Sequence, residues 1–147
     1  MVTLFSPYLF TIIMDGLSML IHMKIEDSSV AGIPFDYHWR CKKTKLTHLC
    51  FADDLMFFYG GSLHSVELLH FALQEFCSIS GLMPNKEKSS IFIAGSNQRY
   101  MESVREIFQF PLGELPIRYL GVPLISTKLT IVHCKPLVDA LTSRAIS

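Results

Sequence analysis

The sequence predicts an α+β fold built from helices and short antiparallel hairpins, and three features carry that prediction. A long apolar segment near the start has helical spacing, and two β-prone runs flank a turn at residues 52–55. Further helical segments then separate this turn from a second pair of short strands about Gly121. Helices and antiparallel hairpins within one chain are typical of the α+β class.

The composition predicts one globular domain spanning residues 1–147. Half of the residues are hydrophobic and 18% are charged, which excludes a disordered or low-complexity chain. Thirteen basic residues balance thirteen acidic ones, so any nucleic-acid site must be a local patch. Eleven Phe and seven Met make the chain apolar for its size. We therefore expect a large apolar face that meets a partner, or a chain that is part of something bigger.

The cysteines and the first residues indicate the compartment. Cysteines at positions 41, 50, 77 and 134 lack the close spacing of a zinc ribbon or a redox pair. Nothing in their pattern suggests a disulfide framework, so a reducing compartment is the default. The first residues lack the basic region of a secretory signal, and we do not expect secretion.

The first element is a helix from about residue 7 to residue 24, beginning at Ser6-Pro7, since Ser suits an N-cap and Pro the first turn. Residues 4–25 are apolar enough for a membrane span, which is the alternative. Polar residues at intervals of four, three and four form one stripe along the helix: Thr11, Asp15, Ser18 and His22. Such a stripe favours a buried helix with one edge facing solvent or a cleft.

A loop and a hairpin follow. Residues 26–45 contain loop signals and a cluster of four positive charges at Arg40, Lys42, Lys43 and Lys45. That cluster is either a solvated turn or a phosphate-contacting patch. Residues 46–59 then predict a hairpin with an acidic tip at residues 52–55.

Two helices and two short strand segments are predicted downstream. Ser62 caps a helix that ends at Ser80-Gly81, with apolar positions at Val66, Leu69, Leu73, Phe76 and Ile79. Residues 89–94 predict a short strand, and Asn97 caps a third helix with Met101, Val104, Ile107 and Phe108 facing inward. Residues 115–124 predict two strands about Gly121, and a last helix is expected after Pro136.

Adjacent carboxylates at Asp53 and Asp54, inside an apolar hairpin, require an explanation. Unpaired carboxylates placed together repel, and burial increases the repulsion. A divalent cation removes it, since Mg²⁺ is commonly held by one or two carboxylates plus substrate phosphates. Two-metal phosphoryl transfer uses carboxylates in this way. The alternative is an ordinary turn, in which Asp is a favoured residue.

Four motifs match those of one polymerase family in order and spacing. Phe51-Ala52-Asp53-Asp54 resembles the polymerase C motif, and the run SPYLF at 6–10 looks like the end of the B motif. The segment at 80–89 looks like the D motif, and the run YLGVPL at 119–124 resembles the hairpin near the primer grip. Over about residues 4–140 the chain therefore resembles plant-type reverse transcriptases of non-LTR (LINE-like) retrotransposons.

The resemblance implies a partial polymerase palm of antiparallel hairpins packed on helices, with the start of a thumb and without fingers. It implies that Asp53 is a metal ligand with Asp54 beside it in a supporting part. Lys88 would donate a proton to the leaving pyrophosphate, and the alternative is a solvated lysine. The implied cofactor is Mg²⁺, with Mn²⁺ possible. Asp53, Asp54 and Lys88 are thus the candidate catalytic residues.

The resemblance also implies where nucleic acid would bind. Tyr119, Leu120 and Gly121 would contact the primer and template, unless they form a plain structural hairpin. Ser6 and Pro7 would lie on the nucleotide and template side. The implied partners are an RNA template, a DNA primer and deoxynucleoside triphosphates, with no membrane, and the implied compartment is the nucleus or cytoplasm.

Departures from the family pattern limit the expected activity. The family's B motif begins with Gln-Gly-Asp-Pro, where this chain has other residues, and its A-motif Asp lies further upstream. We therefore expect a fragment of an RNA-directed DNA polymerase that is inactive alone. The alternatives are a non-catalytic nucleic-acid-binding or interaction remnant, and a small membrane-associated protein that uses residues 4–25.

Overall fold

The computed structural model describes residues 6–95, 97–119, 121–125 and 130–146. Its helices and strands, in chain order, are α1 (Ser6–Val30), β1 (His48–Phe51), β2 (Asp54–Phe57), α2 (Leu63–Ser80), α3 (Gln98–Phe108), β3 (Ile117–Tyr119), β4 (Val122–Leu124) and α4 (Ile131–Ile146). The strands form two antiparallel two-stranded sheets, β1-β2 and β3-β4. The mixture of helices and small antiparallel hairpins confirms the α+β prediction.

The chain divides into two compact units. The first combines Met1–Asn85 with Gln98–Gln109, and the second combines Lys86–Asn97 with Phe110–Ser147. The first unit therefore contains α1, the β1-β2 hairpin, α2 and α3, and the second contains the β3-β4 hairpin and α4.

Helix α1 continues to Val30, so the predicted end near residue 24 is wrong. Gly32 has a φ of 84°, the left-handed conformation that glycine adopts without strain. The Gly32 N–H donates to the Ser29 carbonyl at 3.1 Å, and the Ile33 N–H donates to the Ser28 carbonyl at 3.0 Å. These two bonds form a Schellman motif, which satisfies carbonyl groups at the end of the helix.

The prediction that α1 is buried is wrong for most of its surface. Leu17 and Ile21 are fully buried and Ile25 nearly so, whereas Ile12 is 68% exposed. The buried residues follow each other at four-residue spacing, so they form one stripe, along which α1 packs on α2. Within the described residues, Tyr8–Val30 is the one helix long and apolar enough to cross a membrane by length and composition.

The core of the first unit lies around α2. The buried residues of this helix are Ser65, Val66, Leu68, Leu69, Ala72, Leu73 and Phe76. The predicted boundaries are confirmed, since Ser62 is the N-cap and Gly81 the left-handed C-cap. The predicted core position Ile79 is wrong: this side chain is 73% exposed. It lies in the last turn, beyond the stretch of α2 that carries the buried residues.

Helix α3 packs against α2. It begins directly after Asn97, and Val104 and Phe108 are its buried residues. The Phe108 ring meets the His70 ring edge to face, with centroids 5.2 Å apart. The predicted third helix is therefore confirmed, and it contributes its apolar face to the first unit.

The second unit differs from the prediction in two places. The predicted strand over 89–94 is an isolated parallel bridge in which the Ile91 N–H donates to the Pro111 carbonyl at 2.9 Å. Helix α4 begins at Ile131 rather than after Pro136, which lies inside it. Proline has no N–H for the Val132 carbonyl, so one helical hydrogen bond is missing there. The predicted strand pair about Gly121 is confirmed by β3 and β4.

Candidate active site

The acidic tip is a tight turn between β1 and β2. Phe51 pairs with Asp54 across the two strands, so Ala52 and Asp53 form a two-residue turn. Ala52 has a φ of 48°, which is uncommon for a residue with a side chain. The predicted tip at 52–55 is therefore shorter than expected, since Asp54 is already the first residue of β2.

The strand register assigns the side chains of the hairpin to two faces. Side chains alternate along a strand, so Leu49, Phe51, Asp54 and Met56 share one face, and His48, Cys50, Leu55 and Phe57 share the other. The face that includes Asp54 is open, because Leu49 is 43% and Phe51 59% exposed. Asp53 and Asp54 are themselves exposed. The structure thus presents two adjacent carboxylates to solvent at the end of an apolar ribbon.

His48 connects the opposite face of the hairpin to α1. Its Nε2 lies 2.9 Å from the Ser18 hydroxyl, and its Nδ1 lies 2.9 Å from the Thr47 hydroxyl. Burial, with the nearby His22, lowers the pKa of the His48 imidazole. A neutral ring has one donor and one acceptor nitrogen, which suits contacts with two hydroxyls. Ser18 belongs to the predicted polar stripe of α1, but the sequence did not indicate that its partner would be His48.

The Cys50 thiol near the tip and the Tyr59 phenol beyond the far end of β2 both have a raised pKa. Burial, with the neighbouring Asp54 carboxylate, raises the pKa of the Cys50 thiol. Burial and the Tyr100 hydroxyl raise the pKa of Tyr59, two residues beyond β2. A protonated thiol is a poor nucleophile and a poor metal ligand, so the chemistry available at this tip is that of the two carboxylates.

No third ligand joins the two aspartates within the described part of the chain. There, no group of three or more His, Cys, Asp or Glu side chains is placed to hold a metal ion. The carboxylates of Asp53 and Asp54 offer the hard oxygen atoms that Mg²⁺ prefers. This donor set fits one weakly held ion, and it does not fit the two-ion arrangement, which needs further carboxylates.

The remaining predicted site residues are distributed over both units. Lys88 is exposed in a turn of the second unit. Tyr119 is half-buried at the end of β3, and Gly121, with a φ of 81°, forms the turn to β4. Leu120 lies outside the described residues. Ser6 and Pro7 begin α1, and their side chains also lie outside the described part. Asp53 and Asp54 are neighbours in the sequence, and Tyr119 and Gly121 are two residues apart.

Comparison with known proteins assigns a family to most of the chain. A family model described as reverse transcriptase (RNA-dependent DNA polymerase) matches residues 4–124. The match includes the acidic hairpin, α2, α3 and both strands of the second hairpin. A search of solved structures finds no significant match.

Proposed function

The chain belongs to the reverse transcriptase (RNA-dependent DNA polymerase) family, and from that premise we propose that it is a palm fragment of a plant-type non-LTR retrotransposon polymerase. In this proposal the chain forms part of the palm and the start of a thumb. It serves RNA-templated DNA synthesis as part of a complete polymerase and is inactive alone.

The acidic hairpin is the observation that carries the proposal. Two adjacent exposed carboxylates stand at a tight turn whose first residue, Ala52, has a positive φ. A positive φ at the first residue is what a two-residue hairpin turn requires, and this turn places both carboxylates at the end of the hairpin. The His48 contact with Ser18 fixes one face of the hairpin on α1, and the face of Asp54 stays open.

The family implies Mg²⁺, and we propose Asp53 as its principal ligand with Asp54 in support. When bound, such an ion neutralises phosphate oxygens during nucleotide transfer. The chain's own contribution is to keep two carboxylates adjacent and exposed. Within the described residues no third His, Cys, Asp or Glu joins these two carboxylates, and two-metal transfer needs further carboxylates.

Other residues receive roles in the same proposal. Lys88 would protonate the leaving pyrophosphate, and this residue is exposed. Tyr119, Leu120 and Gly121 would contact the primer and template. Ser6 and Pro7 would lie on the nucleotide and template side. These roles depend on the motif resemblance, and each is a target for substitution.

Metal binding is the first test. Titration with Mn²⁺, a paramagnetic substitute for Mg²⁺, should broaden the amide NMR signals of residues 51–56 before any others. The variant Asp53→Asn should remove this broadening. The matched control Asp15→Asn, at another exposed aspartate, on α1, should keep it. Broadening centred elsewhere, or none at millimolar metal, would favour an ordinary Asp-Asp turn.

Nucleotide incorporation is the second test. The 147-residue chain should incorporate no deoxynucleotide on a primed RNA template with Mg²⁺ or Mn²⁺, because two-metal transfer needs carboxylates beyond Asp53 and Asp54. Incorporation that disappears in Asp53→Asn would contradict the proposed inactivity. Incorporation that persists in that variant would identify a contaminating polymerase.

A non-catalytic nucleic-acid-binding remnant is the second candidate function. The observation that favours it is the missing third carboxylate within the described residues, since binding of primer and template needs no metal pair. Loss of the Mn²⁺ effect together with retained nucleic-acid binding would support this candidate over the first.

A further inference from the structure

The segment between α1 and β1 presents an exposed indole ring among four cations. We call residues 38–45 the basic loop. Trp39 is 73% exposed, and the Arg40 guanidinium carbon lies 4.7 Å from the centroid of its ring. The loop contains no acidic residue, and its four cations are exposed: Arg40, Lys42, Lys43 and Lys45. Within the described residues, none of these cations forms an ion pair.

Hydrogen bonds hold the basic loop in a defined shape. The Cys41 N–H donates to the His38 carbonyl at 2.8 Å, and the Leu46 N–H donates to the Cys41 carbonyl at 3.2 Å. The Thr44 hydroxyl also donates to the Cys41 carbonyl, at 3.1 Å. The loop therefore does not have to be ordered from a flexible state when it binds, which lowers the entropic cost of binding.

The chain on the N-terminal side of the loop is anchored in the core. Phe35 is buried, and the Asp36 N–H donates to the hydroxyl of the fully buried Ser65 on α2 at 2.8 Å. On the other side, β1 begins at His48, which contacts α1. Trp39 thus stays in solvent although the segments before and after it pack into the first unit.

We propose that the basic loop binds single-stranded nucleic acid, with one base stacked on Trp39 and adjacent phosphates contacting Lys42 and Lys43. Aromatic rings stack on any base, and clustered cations follow the backbone, which is how sequence-tolerant single-strand sites are built. The bases of a duplex are already stacked on each other and leave Trp39 without a partner. The net charge of the chain is zero, so attraction to phosphate depends on this local cluster.

A membrane surface is the competing partner for a loop with tryptophan and lysine. Attachment to a membrane needs several apolar side chains that enter the lipid. Trp39 is the only large apolar side chain in the basic loop, and the other side chains include four cations. The loop composition therefore favours nucleic acid.

The basic loop lies at the opposite end of β1 from the acidic tip. The four residues of β1 span roughly 13 Å at the usual rise of a strand. A strand bound to the loop would therefore be held at one end of the hairpin that presents Asp53 and Asp54 at the other. The inference deepens the proposed function, on whose nucleic-acid partner it rests, because it assigns a contact to named residues outside the acidic hairpin.

Trp39 is the only tryptophan in the chain, so its fluorescence reports on the site directly. We expect single-stranded oligothymidylate to quench this fluorescence strongly in a buffer that contains a metal chelator. Duplex DNA of the same length should quench it much less. Because the experiment excludes metal, its outcome does not depend on the metal site assigned to Asp53 and Asp54.

Substitutions separate stacking from charge, with binding followed by the anisotropy of a labelled oligothymidylate. Trp39→Ala should weaken binding about 5- to 150-fold, and Trp39→Phe should keep most of the affinity, because phenylalanine still stacks. The double variant Lys42→Ala/Lys43→Ala should lower the slope of log affinity against log salt by about 1.4, or about 0.7 for each lost phosphate contact.

The matched control is Arg99→Ala/Arg105→Ala, which removes the same charge from exposed positions on α3 and should change affinity less than twofold. Circular dichroism would verify that each variant is folded. Equal affinity of Trp39→Ala and the unsubstituted chain would overturn the proposal, as would equal quenching by duplex. Phosphatidylserine vesicles that shift the Trp39 emission, while oligothymidylate leaves it unchanged, would identify a membrane contact instead.

Discussion

Replacement of Ile21 by alanine tests the finding that α1 is held by a single stripe. The Ile21 side chain is fully buried where α1 packs on α2. Ile12 is on the same helix but is 68% exposed. The pair Ile21→Ala and Ile12→Ala therefore makes the same chemical change at a covered and at an uncovered position, and the small gain in helix propensity from alanine is common to both.

The expected cost follows from burial. Truncation of a buried Ile to Ala removes its transfer free energy and leaves a cavity, which together cost about 2–5 kcal/mol. An exposed position changes the free energy of unfolding by only about 0.5 kcal/mol. Total stability is about 5–15 kcal/mol for a typical domain, so Ile21→Ala removes a large share of it.

Urea unfolding followed by circular dichroism measures the difference. With a slope of about 2 kcal/mol per molar urea, Ile21→Ala should lower the midpoint by about 1–2.5 M, and Ile12→Ala by less than about 0.3 M. Equal shifts for the two variants would show that both sides of α1 are covered in solution. That result would refute the single-stripe packing.

Two further predictions concern pH and association. Burial lowers the pKa of His48 and of His70 below the ordinary value of 6.5, so the unfolded chain binds more protons just below that pH. The free energy of unfolding should fall as pH drops from about 6.5 towards 5, where carboxylates begin to titrate. In urea unfolding, the variant His48→Gln/His70→Gln should show a weaker dependence of this free energy on pH. The open hairpin face at Leu49 and Phe51 should cause self-association, since an exposed apolar strand is a template for pairing. Sedimentation should detect oligomers that Phe51→Lys reduces, whereas a monodisperse monomer would contradict this expectation.

Local signals in the sequence were sufficient for several elements. Ser62 and Gly81 bound α2 as expected. Gly81 ends the helix through its left-handed backbone and its N–H bond to the Cys77 carbonyl, whereas Ser62 occupies the N-cap without a side-chain capping bond. The hairpin at Asp53 and Asp54 was also predictable, since both strands and the turn lie within a few residues. Gly32 was an equally local signal for the end of α1 and could have corrected its predicted end.

Other errors arose where a distant partner decides the structure. The apolar run at 89–94 has strand propensity, but its partner is a loop around Pro111, which supports only an isolated bridge. Ile79 continues the apolar spacing of α2 and remains exposed, beyond the stretch that carries the buried residues. Propensity and spacing do not specify where a packing partner ends.

The sequence by itself determined the α+β class, the family-level resemblance and the adjacent carboxylates at the hairpin turn, because these depend on residue types at short range. Only the tertiary structure decided that α1 is buried along one stripe, that His48 contacts Ser18, and that Trp39 stays exposed beside four cations. These features depend on which surfaces meet across segments far apart in the chain, and hydrophobic burial, being non-directional, does not encode that choice in any local pattern.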